Sequence, residues 1–145
     1  MLGLPLTPTR DGSWRAHGTT LIWTVFVGLA LFMPGDGLQP DTGLFPWTLP
    51  EGTDKLIHSF LFFFEALFLY RSLRLLESPW PPLPTAIGAA ILLGALTEWA
   101  QLSLPDRSGD LGDWIADILG ALACGAWVSR PAAMRSKSPS RKLPE

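Results

Sequence analysis

Cysteine is nearly absent from these 145 residues: Cys124 stands alone, so no intrachain disulfide can form and no Cys-x-x-Cys metal pair exists. It falls in an apolar run and is most simply a small packing residue. Histidine is almost as scarce. His17 and His58 are far apart, which excludes a His-x-x-x-His metal motif, and no metal or cofactor is expected. Charge is thin at 17%, and the basic residues form no clustered face of the kind that binds nucleic acid. What fills the chain instead is apolar: 48% of residues are hydrophobic and the mean hydropathy is +0.26, more than a soluble domain of this size usually carries.

Four apolar runs are separated by turn-forming residues. The first, about Thr19 to Met33, is stopped by Pro34-Gly35-Asp36-Gly37. It is short for a bilayer core that needs about 20 residues, but tilt or the preceding His17-Gly18 make up the difference. No Ala-x-Ala cleavage signal follows Phe32, so the run reads as a span and not as a cleaved leader. The second runs from Leu56 to about Leu76, is rich in Phe, and ends beside Arg71 and Arg74. The Pro-rich stretch Pro79 to Pro84 reads as a turn before the third run, about Thr85 to Leu104. The fourth is Leu111 to Val128. Ala90 with Gly94, Ala116 with Gly120 and Ala121 with Gly125 are small-xxx-small pairs, which let membrane helices approach closely. The expected fold is therefore all-α, an integral membrane bundle of four transmembrane helices over 19–128, flanked by an N-terminal segment 1–18 and a basic disordered tail 129–145.

Lys and Arg are distributed unevenly. Arg10 and Arg15 precede the first span, Arg71 and Arg74 follow the second, and Arg130, Arg135, Lys137, Arg141 and Lys142 lie in the tail, whereas only Lys55 and Arg107 lie in the other connections. The positive-inside rule then places both termini in the cytoplasm, with the tail near anionic membrane lipids. It also gathers the remaining polar residues at the other face. Asp54, Lys55 and His58 open span two, Glu98 and Gln101 close span three, and Asp106, Arg107, Asp110, Asp113 and Asp117 lead into span four. Asp54, His58 and Glu65 share one side of a 3.6-residue helix, which should face protein. Six tryptophans fall near span ends, as interfacial belts require, and only Trp23 lies deeper.

Three motifs in order, Asp54-Lys55-Leu56-Ile57-His58, Glu98-Trp99-Ala100-Gln101 and Arg107-Ser108-Gly109-Asp110-Leu111-Gly112-Asp113-Trp114-Ile115-Ala116-Asp117-Ile118-Leu119-Gly120, resemble the VanZ-like family of small bacterial membrane proteins over 54–128. The family pattern has Asn where this chain has Asp117. The resemblance implies a multi-pass protein of the bacterial inner (cytoplasmic) membrane, linked to the cell envelope and to glycopeptide (teicoplanin) susceptibility. It implies no particular reaction.

The residues themselves leave several readings open. In one, His58, Glu98 and Asp113 do acid-base work on a lipid-linked or peptidoglycan-type ligand, with Asp54, Lys55, Gln101, Arg107, Asp110 and Asp117 binding it; crowded carboxylates raise one another's pKa, which keeps one protonated. Arg107 suits a phosphate or carboxylate. In another, Lys55 and Arg107 neutralise Asp110, Asp113 and Glu98, and the network fixes helix packing only, as in a structural or accessory subunit. One His with two or three carboxylates is also the minimum of a Mg²⁺, Mn²⁺ or Zn²⁺ site. Glu65, the one acid near mid-span, reads as a helix contact to Thr24 or Thr97, with proton relay as its alternative. Asp110 should cap span four.

Overall fold

The computed structural model describes residues 10–32, 52–103 and 109–130. Four helices make up the fold: α1 (Arg10–Phe32), α2 (Thr53–Leu73), α3 (Pro82–Gln101) and α4 (Leu111–Val128), with no strand among the described residues. Each contains a stretch long and apolar enough to cross a membrane.

Only α4 has the limits the hydropathy pattern gives. Helix α1 starts at Arg10, nine residues ahead of Thr19, because polar residues such as Ser13, Arg15 and His17 continue a helix outside the apolar zone as readily as within it. The N-terminal segment 1–18 is therefore helical in its second half. Helix α2 is shifted toward the N-terminus: Gly52, at φ +82°, turns the chain into Thr53, and Leu75 and Leu76 belong to a tightened turn donating to Ser72 and Leu73. Helix α3 begins inside the proline cluster. Pro82 and Pro84 lie in its first turn, where a missing N–H costs nothing.

Cross-helix contacts define an up-down-up-down bundle. His17 of α1 bonds Ser72 at the far end of α2, the start of α2 meets the start of α4 through Lys55 and Asp113, and Gln101 at the end of α3 donates to Leu31 near the end of α1. The start of α1 and the end of α4 thus lie at the same end. Size is distributed inside out: Ala86, Ala90, Ala116, Ala121 and Cys124 are buried, whereas Leu21, Ile22, Leu29, Leu92, Ile115 and Leu119 are exposed around the bundle. That inversion is what a lipid solvent selects, and the chain is a multi-pass membrane protein.

The small residues set the closest approaches. A Cβ on Gly120 would lie 2.1 Å from the Ser59 carbonyl oxygen, so α2 and α4 touch backbone to backbone there. Ser59 Oγ donates to the Ala116 carbonyl at 2.8 Å at the same crossing. Gly125 makes room for a side chain instead: a Cβ there would lie 2.7 Å from Ile87 Cδ1 of α3. Val27 and Leu31 of α1, Leu61 and Phe62 of α2, Ala90 of α3 and Ala121 and Cys124 of α4 make up the apolar core.

Candidate functional site

At the end of the bundle where α2 and α4 begin and α3 ends, two polar groupings lie side by side. The outer one centres on Lys55. Its Nζ is 2.9 Å from Asp110 Oδ2, 2.9 Å from Asp113 Oδ1 and 3.3 Å from Asp54 Oδ2. Asp110 is the N-cap of α4: its Oδ1 accepts the Gly112 N–H at 2.8 Å, satisfying one of the free donors of the first turn. The Lys55 ammonium beside Asp110 holds that carboxyl below the usual carboxylate range. Glu98 enters from α3 by accepting the Asp110 backbone N–H on Oε2 at 2.8 Å. Of the three acids expected to be neutralised by Lys55 and Arg107 together, Lys55 takes Asp110 and Asp113 and adds Asp54, which occupies the ammonium's three donors; Arg107 lies outside the described residues.

The inner grouping is buried. His58 Nδ1 lies 2.9 Å from Asp117 Oδ1, and its Nε2 faces Asp113 Oδ2 at 4.0 Å. Asp117, the position where the resemblance leads one to look for Asn, is wholly enclosed with 0% of its side chain exposed, and its partner is His58, not Lys55. Gly94 makes this burial possible: a Cβ there would come within 2.8 Å of Asp117 Oδ2. Two oxygens in this region, Asp117 Oδ2 and Glu98 Oε1, have no hydrogen-bond partner among the described residues, as is also true of Glu65 Oε2 at mid-span. Buried carboxylate oxygens left unmatched are costly, and here two of them converge beside His58.

Not every residue expected here arrives. Gln101 turns away and donates from Nε2 to the Leu31 carbonyl at 2.8 Å, tying α3 to α1. Asp54 is on the exposed side of Lys55 and does not share the buried face of His58 and Glu65. Arg107 and Asp106 lie outside the described residues, as does the tail from residue 131 on. Glu65 is a helix contact to α1, accepting from Thr24 Oγ1 at 2.8 Å, while Thr97 bonds the Gly94 carbonyl within its own helix.

Beside the cluster runs a cleft of about 320 Å³ lined by Glu98 and Asp110 together with Ala95, Trp99, Leu102 and Trp114. Ala95, Glu98, Trp99 and Leu102 recur at helical spacing on one face of α3, a pattern readable in the sequence but not read as a cleft. Trp114 is an anchor as well as an interfacial residue: its Nε1 donates to the Ile91 carbonyl at 3.2 Å. Trp99 is 70% exposed.

No family model matches the chain, and no curated protein and no solved structure is similar to it.

Proposed function

We propose that the polar end of the bundle is a binding site for an envelope amphiphile, a lipid-linked or peptidoglycan-type molecule, at the outer face of a bacterial inner membrane. One observation carries this reading: Glu98 belongs both to the apolar cleft and to the buried polar cluster. A molecule with its tail against Trp99, Leu102 and Trp114 brings its head to Glu98 and His58. A pocket mostly apolar with a few convergent polar groups is the usual form of a small-molecule site.

In that site His58 is the natural proton acceptor. Asp117 fixes the imidazole through Nδ1, leaving Nε2 toward Asp113, and an oriented imidazole beside carboxylates is suited to acid-base work on a bound head group. The likeness of its three motifs to the VanZ-like pattern supports an envelope ligand and makes altered glycopeptide susceptibility the phenotype to measure. The second reading, a network that only fixes packing, is favoured by Lys55, whose donors are fully spent on structural carboxylates.

Binding of an undecaprenyl-phosphate-linked peptidoglycan precursor by the purified chain, followed by native mass spectrometry, separates the two. Trp99→Ala, at an exposed position, and His58→Ala are expected to abolish the bound species while helicity and thermal midpoint stay near wild type. Undiminished binding in both variants removes the site reading, and failure of His58→Ala to accumulate, with Trp99→Ala binding normally, establishes the packing role.

A further inference from the structure

We propose that His58, Glu98 and Asp117 together bind one divalent transition-metal ion, zinc or manganese. The three residues come from three helices, α2, α3 and α4, and each offers one ligand atom, all within 4.8 Å of one another. The inference rests on the reading of this end of the bundle as a ligand site, but it concerns an ion and is measured without any amphiphile.

The division of charge is the first argument. Lys55 occupies Asp54, Asp110 and Asp113, so among the described residues the two remaining carboxylates of the cluster, Glu98 and Asp117, have His58 as their cationic candidate. The second argument is independent of charge. Asp117 is completely enclosed, yet Oδ2 has no partner among the described residues, and Glu98 Oε1 has none either. Two buried acceptors with four-fold lone-pair capacity and no donor are the ligand complement of a cation.

Donor chemistry selects the ion. One imidazole nitrogen with two carboxylate oxygens is a borderline set that suits zinc or manganese; calcium takes six to eight oxygens, and magnesium prefers an oxygen shell with several waters. The surroundings fit as well. Asp113 Oδ2 lies 4.0 Å from Nε2, beyond hydrogen-bond distance, and a side-chain adjustment would let it orient the imidazole when the ion takes Nδ1. Of the three ligands Glu98 alone lines the cleft, so a head group would reach the ion from that side.

The full chain, purified in detergent, stripped with a chelator and titrated with Zn²⁺ or Mn²⁺, tests this by elemental analysis after gel filtration. About one ion per chain is expected, as for a mononuclear site, with Glu98→Gln and Asp117→Asn weakening retention at least about tenfold. Glu77→Gln, an exposed change at the other end of the bundle, should retain the ion as wild type does. Should the site variants fail to fold, Co²⁺ added to the unmutated chain gives a second measure: visible ligand-field bands that Zn²⁺ abolishes support the site. Absence of both retained metal and Co²⁺ bands overturns it, as does equal retention in folded Glu98→Gln and Asp117→Asn. Metal retention without precursor binding would sink the amphiphile reading and leave this one standing; precursor binding without metal would do the reverse.

Discussion

Asp110 does two jobs with its two oxygens, capping α4 through Oδ1 and holding Lys55 through Oδ2. Both favour the charged carboxylate, the lysine most of all, so its folded-state pKa lies below that of the unfolded chain. A lowered carboxyl pKa means that its stabilising contribution is present above the unfolded value and is lost as pH falls through the folded one; it is constant across neutral pH. Being exposed, it contributes little to stability, and the titration itself is the sensitive observable. Carbon-13 NMR of the side-chain carboxyl should show a midpoint below the ordinary range that rises in Lys55→Met; an unchanged midpoint would show that the cap alone sets it. Among single residues, the sequence made the gathering of Lys55, His58, Glu98, Asp110, Asp113 and Asp117 legible, because helical spacing and alternating span direction put them at one end. It did not reveal which acid each base takes. That choice depends on rotamers and on Gly94 leaving space for Asp117, and Gln101, three residues from Glu98, could be assigned to Leu31 only once α1 had been placed.

Helix α4 is held by spaces more than by side chains. With no hydrophobic force between helices in lipid, contact between backbones carries the association, and Gly120 is where Ser59 sits closest. Gly120→Ala cannot be relieved by a rotamer change, since the obstacle is the α2 main chain; a loss of about 1–3 kcal/mol, the usual range for overpacking, is expected and would appear as a lower thermal midpoint. Gly88→Ala, with nothing near its Cβ position, should leave the midpoint within error and serves as the comparison. The small-xxx-small spacing announced these contacts in the sequence. The helix limits were less legible for a physical reason: hydropathy reports where the apolar zone ends, whereas a helix ends where backbone donors and acceptors lose partners, so α1 runs on through Arg15 and His17, and α3 takes Pro82 and Pro84 into its first turn.

For the whole molecule, four spans put the described start and end on one side, where Lys and Arg are in excess, and the positive-inside rule makes the cytoplasm the side to be tested for. A reporter active only outside the cytoplasm should work when inserted at residues 104–108 and fail when fused after Glu145; the opposite pattern would invert the site to the inner face. The contact between α1 and α2 has a consequence of another kind. Along one stripe, His17 meets Ser72, Thr20 meets the Phe68 carbonyl, Trp23 meets the Leu61 carbonyl and Thr24 meets Glu65. These rungs differ from one another chemically. Sliding α1 by one turn, about 5.4 Å, one way takes His17 from Ser72 but sets Thr20, four residues before Thr24, opposite Glu65; sliding it the other way sets Gly28 there and leaves the carboxyl without a hydroxyl. The stripe works as a key with two like teeth, and it refuses one wrong seating of the first helix more firmly than the other.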